Sequence, residues 1–401
     1  MKRHSLSRSQ WFFSVAVSIA FSNLAGCGGS SSAPSVTPYA YIVSADAEGQ
    51  SVPGAVYQYS IAGDGSLAPL SPASVPTGVT PSAAAADPTG HYLYVANSRS
   101  DTISQYTVGA GGALMALSPA TVTVGGPFPR AGLSLSVEPQ GRFLYVVVSP
   151  QDPPGPVAAI AQYSIGSAGS LTPLSPAFVN VSAAASGALA FDANGHACLA
   201  GNDNAGGLVA QFSIDSDGAL SPLEPASVFA TAQAIGVAIA PGGRTAYVLS
   251  TCVDAVCDGQ VALYTIGPDG TLAATTVSTL TGSHVNPVAM LLNDTGSSGY
   301  VLNNFMGIDT NSGAVYQYAI DNSGALTPYV PSSLDVASGS VAESTYGSTL
   351  YALSATAVGS SIGGPGGNVD EYAIGSDGQL TAVSTTSLSG GRPTAMVVVT
   401  P

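Results

Sequence analysis

Apolar and polar positions alternate along this chain in short runs broken by glycine, and the runs come in sets of four. The most regular run reads Tyr57-Gln58-Tyr59-Ser60-Ile61, followed by a Gly/Asp turn and Gly65-Ser66-Leu67. Alternation with period two places Tyr59 and Ile61 on one face of a strand and Gln58 on the other. The same box returns with its aromatic at Tyr106, Tyr163, Phe212, Tyr264, Tyr318 and Tyr372, at intervals of 47 to 57 residues. A repeat near fifty residues, built of short strands, predicts a radial all-β array in which no unit buries its own faces alone. Seven copies predict a seven-bladed β-propeller with four-stranded antiparallel blades.

The other runs of each unit have their own character. The first is small and apolar, as in Pro81-Ser82-Ala83-Ala84-Ala85-Ala86, and suits the crowded inner strand. The second, Tyr92-Leu93-Tyr94-Val95-Ala96-Asn97, is aromatic and β-branched, as expected of a sheet covered on both faces. The aromatic box is third, and five copies place glutamine in one slot: Gln58, Gln105, Gln162, Gln211 and Gln317. A buried amide repeated in this way is expected to hydrogen-bond the backbone of the neighbouring blade, because leaving it unpaired costs about 1–3 kcal/mol. The fourth run carries prolines, as in Leu67-Ala68-Pro69-Leu70-Ser71-Pro72, and must be an edge strand because proline cannot donate to a central ladder.

The two ends complete each other. Tyr39-Ala40-Tyr41-Ile42-Val43 reads as a second strand with no first strand before it, and Pro393 to Val399 as a first strand with nothing after it. The last blade is therefore expected to take its inner strand from the C-terminus and the rest from the N-terminus, closing the ring. The propeller then spans residues 39–401.

The N-terminus adds an address. Lys2, Arg3 and Arg8 precede an apolar stretch, Trp11 to Phe21, too short to span a bilayer. Leu24-Ala25-Gly26-Cys27 resembles the lipobox of bacterial lipoprotein precursors. That resemblance implies that residues 1–26 are a signal peptide and that Cys27 is lipidated. It also implies a place in the cell envelope, at the outer membrane or cell surface since no Asp follows Cys27, with a periplasmic position as the alternative. Residues 27–38 are Gly/Ser-rich, the composition of a flexible tether.

Beyond Cys27, five arginines face 23 carboxylates, a formal charge of −18. Such a surface excludes nucleic acid and anionic headgroups as partners, so the lipid alone is expected to hold the protein at a membrane. Cys252 and Cys257 bracket Val-Asp-Ala-Val in a loop, which in an oxidising compartment fits a local disulfide. A metal pair is the rival reading, although no histidine stands nearby. Cys198 sits in a strand pattern as a buried thiol.

Turns between first and second runs are short, as are those between third and fourth; connections from second to third vary, with Ser149 to Val157, Ser250 to Gly259 and Ser354 to Gly367 long. A rigid ring with variable loops on one face puts binding there. His91, Arg142, His196 and Arg244 each follow a turn glycine and belong to the opposite face as solvated turn residues. Arg99, Arg130, His284 and Arg392 remain, all in loops on the variable face, and form the candidate anion-recognition cluster. Asp46, Glu48, Asp101, Asp203, Asp254, Asp258 and Asp309 share that face; Asp87, Glu138 and Asp192 open turns, and Asp215 to Gly218 reads as a hairpin rather than a calcium loop.

The inner-strand, Asp/Glu-Pro-x-Gly turn and Tyr-Val-x-Asn-like series, clearest at Tyr92 to Asn97 and Phe143 to Val146, resembles the lactonase-like seven-bladed propellers. That group includes bacterial 6-phosphogluconolactonases, fungal muconate cycloisomerases and the Tyr-Val-Thr-Asn repeat proteins. Its lactonases carry Pro-Arg-His entering an inner strand; here Pro129-Arg130-Ala131 keeps the first two and replaces the histidine. The resemblance implies either a binding scaffold that uses the long-loop face for a small molecule, carbohydrate or protein, or a lactone hydrolase. In the second case His284 would be the general base and Arg130, Arg392 and Arg99 would hold the anion. Neither reading calls for a cofactor or a resident metal, and both are expected of a monomer.

Overall fold

The computed structural model describes residues 37–45, 52–125, 132–149, 158–181, 183–185, 187–203, 206–230, 233–251, 259–280, 287–304, 313–336, 340–358, 361–388 and 391–401. Among these the only regular element is the β-strand, arranged in seven antiparallel sheets. Blade 1 is the closing blade, ordered from the axis outward as Arg392–Val399, Tyr39–Ala45, Pro53–Ile61 and Leu67–Val79. Blade 2 runs in chain order through Pro81–Ala86, Tyr92–Asn97, Thr102–Val108 and Leu114–Thr123, and blades 3 to 7 follow the same plan. The predicted closure is present, with Tyr41 directly opposite Val397 and Tyr39 opposite Val399.

Each blade is fastened to the next by polar side chains of its middle strands. Gln58 Nε2 donates to Pro72 O in its own edge strand at 2.8 Å, while its Oε1 accepts Leu114 N of blade 2 at 2.6 Å. Gln105, Gln162, Gln211 and Gln317 repeat both bonds, and the prolines they reach are the five that follow a cis peptide bond. Glu371 takes this slot in blade 7 and accepts from Ser384 and Thr386 of its own edge strand.

Tyrosine supplies a second link, which was not anticipated from the sequence. The hydroxyls of Tyr41, Tyr94, Tyr145, Tyr247, Tyr300 and Tyr351 each donate to the carbonyl of a turn glycine in the following blade, at 2.6 to 3.0 Å. Cys198 stands at that place in blade 4, fully buried, and burial pushes its thiol up to about 12. The third-run aromatics reach backwards: Tyr106 OH donates to Pro76 O at 2.6 Å and Tyr372 OH to Asp335 O at 2.8 Å.

Two features differ from expectation. The inner strand of blade 4 is broken into Ala184–Ala185 and Ala190–Phe191. Ser134 and Ser136 of blade 3 donate to Gly187 O and Leu189 O across the break. Gly187 adopts φ 79°, and a Cβ there would come within 2.9 Å of Ile235 O, so glycine is required where the inner strands crowd. The expected long loop from Ser354 to Gly367 is instead a continuation of the second and third strands, Thr349–Val358 and Ser361–Ile374, as a tall hairpin. The pairing resumes after a register shift past Ala355, with Ala357 opposite Ile362 and Val358 opposite Ser361.

Candidate functional site: the long-loop face

The ring presents two faces of opposite character. On the short-turn face every buried carboxylate is absorbed by its turn. Asp87 Oδ1 accepts Tyr92 N at 2.6 Å, Glu138 accepts Gln140 N at 2.8 Å and Arg142 N at 2.7 Å, and Asp192 accepts Asn194 N at 2.9 Å and His196 N at 2.8 Å. The aspartates of the third-to-fourth turns act likewise: Asp215 Oδ2 accepts Ser221 Oγ and Asp217 Oδ1 accepts Ala219 N. Arg142 and Arg244 are exposed, as predicted. His196 is not the solvated residue expected: its side chain is 17% exposed, its Nδ1 lies 2.8 Å from Asp192 Oδ2, and its ring covers Gly270 of the next blade.

The described lining of the central channel offers no chemistry at this end. The inner strands converge on a cavity of about 80 Å³ lined by Ala86, Val137, Phe191, Ile239, Met290 and Val397 among others. Among the described residues no acidic or basic side chain lines it, and the one hydroxyl among them, Ser136, is bonded to Leu189 O. An apolar cavity of roughly 150 Å³ holds benzene, so the space among these residues is small for a sugar lactone.

On the long-loop face, Arg99 lies exposed in the turn after Asn97. Arg392 is not in a loop as expected but is the first residue of the closing inner strand, opposite Ala45 and half-buried. Desolvation lowers its pKa from the usual guanidinium value. Arg130, His284, Cys27, Cys252 and Cys257 lie outside the described residues, as do Asp46, Glu48, Asp254, Asp258 and Asp309. The two described members of the predicted cluster thus share a face, Arg392 near the axis in blade 1 and Arg99 on blade 2. Asp101, with φ 49°, and Asp203, whose Oδ1 accepts Gly206 N at 3.0 Å, are engaged in shaping the backbone. Among the described residues no group of His, Cys, Asp or Glu could hold a metal ion.

Beneath this face lies a polar ring at the ends of the second strands, which the sequence reading missed. In blade 2 Asn97 is completely satisfied. Its Oδ1 accepts Thr77 Oγ1 and Gly78 N, each at 3.0 Å, and its Nδ2 donates to Ser104 Oγ at 3.0 Å and to Thr102 O at 3.2 Å. Asn303 holds the equivalent place in blade 6, fully buried, with neither amide atom bonded. Leu280 and Tyr316 occupy the places of Thr77 and Ser104 there, so the partners are gone. Ser250 in blade 5 is also fully buried with its hydroxyl unbonded.

No family model and no curated protein matches this sequence. Solved structures do match in fold. A periplasmic gluconolactonase of Pseudomonas aeruginosa superposes with a TM-score of 0.68 at 17% identity, covering 91% of this chain and 100% of that one. A candidate 6-phosphogluconolactonase of Bacteroides fragilis gives 0.63 at 14% identity over 92% and 99%, and another from Bacteroides uniformis 0.63 at 14% over 91% and 100%. In architecture, this chain is a seven-bladed β-propeller of the kind found in these gluconolactonase-type structures.

Proposed function

We propose that this protein is an exported, lipid-anchored binding module that engages a small-molecule, carbohydrate or protein ligand on its long-loop face. The observation that carries this reading is the contrast between Asn97 and Asn303. Each buried polar atom left unbonded costs about 1–3 kcal/mol, and an apolar residue beside Leu280 and Tyr316 would avoid that cost. On the short-turn face the buried carboxylates Asp87, Glu138 and Asp192 serve the fold. Asn303 and Ser250, both with unbonded buried atoms, lie in adjoining blades at the loop-face ends of their second strands, and the half-buried Arg392 stands at the same rim. Export is supported by the lipobox-like segment ending in Cys27.

Lactone hydrolysis is the second reading, favoured by the fold shared with a periplasmic gluconolactonase and by a half-buried arginine at the start of an inner strand. Arg392 would hold the substrate anion or stabilise the developing oxyanion. The water-activating base would be His284 or a loop carboxylate, since the described channel lining supplies none.

Soluble protein lacking residues 1–27 separates the two when given a panel of aldonolactones and oligosaccharides beside its Arg130→Ala and Arg392→Ala variants. Binding without turnover, weakened tenfold or more by either substitution, supports the module. Turnover lost in a folded arginine variant replaces it with the hydrolase.

A further inference from the structure

We infer that the anchored propeller keeps its short-turn face toward the membrane and its long-loop face away, so that its ligand is a solute or an opposing surface rather than its own bilayer. This inference rests on the lipid-anchoring reading and adds the orientation to it. The evidence is where the chain enters the ring. Pro38 O accepts Ile61 N at 2.9 Å, Tyr39 packs its ring on Gly112 of a short turn, and Tyr41 OH bonds Gly112 O. The chain therefore arrives at the short-turn end of the second strand, one strand from the axis. The C-terminus ends on the same face, with Thr400 against the Gly90 turn.

Length then decides the geometry. Residues 28–36 separate Cys27 from Thr37, the first described residue, and the ten Cα–Cα steps between the two span at most about 36 Å whatever their conformation. To lay the long-loop face on the bilayer, the tether would have to cross the two outer strands, about 10 Å, and climb a seven-residue strand, about 23 Å. The taut chain barely reaches the edge and leaves almost nothing to pass beyond it. With the short-turn face down, no such path has to be crossed.

Charge does not hold this face to the bilayer, so the reach of the anchored segment alone carries the orientation. The exposed turn aspartates Asp64, Asp215, Asp217, Asp269, Asp321 and Asp377 ring the short-turn rim. They outnumber the exposed His91, Arg142 and Arg244 nearer the axis, and an acidic rim is repelled by anionic headgroups.

The test uses full-length lipidated protein in vesicles containing a headgroup-labelled acceptor lipid, with Cys252 and Cys257 replaced by serine. One donor dye is placed at Gly242→Cys on the short-turn face, where a Cβ meets nothing within 4 Å, and another at the exposed Ser100→Cys on the long-loop face. The expected result is several-fold stronger energy transfer from position 242 than from position 100. Equal or stronger transfer from position 100, with the protein still membrane-bound, overturns the orientation and leaves the anchor intact. A Cys27→Ser protein that stays on the vesicles as firmly as the lipidated form overturns the anchor, and the orientation with it.

Discussion

Gln58 Oε1 accepts the backbone N–H of Leu114 at 2.6 Å, a bond made between neighbouring blades by residues 56 apart in sequence. The same amide donates to Pro72 O, so one side chain satisfies two buried backbone groups in two sheets. Gln58→Leu keeps the approximate volume and strands both. Each orphan costs about 1–3 kcal/mol, so the urea midpoint should fall by an amount corresponding to a loss of roughly 2–5 kcal/mol. A loss below about 0.5 kcal/mol contradicts this role.

Asn97 and Asn303 form a matched pair. Asn97→Leu removes a fully bonded amide and strands Gly78 N, with an expected cost of about 2–4 kcal/mol. Asn303→Leu removes two unbonded atoms from an apolar setting and should stabilise the ligand-free protein by about 1–2 kcal/mol while weakening ligand binding. Thermal melts of both variants check the opposite signs.

Alkaline pH should unfold the protein through its buried tyrosines. Burial raises Tyr163, Tyr247 and Tyr300 to about 12, and Tyr94 and Tyr145 further still. The folded chain therefore holds these protons more tightly than the unfolded chain, whose phenols titrate near 10. Stability is unaffected below pH 10 and declines as pH rises through the folded values. Phenolate absorbance from these residues should appear together with loss of circular dichroism. Ionisation of these buried residues near pH 10 in a chain that stays folded would contradict the inter-blade tyrosine bonds.

Tyr94→Phe isolates one such bond. Gly169 O loses its 2.7 Å donor while the ring stays in place, and the expected loss is about 1–2 kcal/mol by denaturant titration. Cys198→Ala, at the place in blade 4 where that bond is absent, should cost less, because only a small apolar contact is lost.

Much of the fold was legible because it is written in local, repeated chemistry. The aromatic boxes from Tyr59 to Tyr372 fall on third strands, the prolines on edges, and the unmatched runs at Tyr41 and Val397 pair with each other. The glutamine slot could be read because an amide on a packed face needs a partner. The Ser354 to Gly367 hairpin was hidden because its glycines have the composition of a loop. The break after Ala185 was hidden because Gly187, Ala188 and Leu189 look like any small inner run. The candidate site was least legible. Asn303 has the same Tyr-Val-x-Asn context as Asn97, and only non-local neighbours distinguish the two, Leu280 and Tyr316 against Thr77 and Ser104. His196 was misplaced for the same reason, since its shelter is Gly270 of another blade.

Closure of the ring is the claim on which the two faces, the shared rim and the tether geometry all depend. Native-state hydrogen exchange of the C-terminal strand measures it directly, since chain ends normally fray and exchange fast. The account predicts that the protected amides of Arg392–Val399 exchange only with global unfolding, at the same free energy as those of Tyr92–Asn97. Exchange of Met396 to Val399 at the rate of a frayed terminus would contradict it.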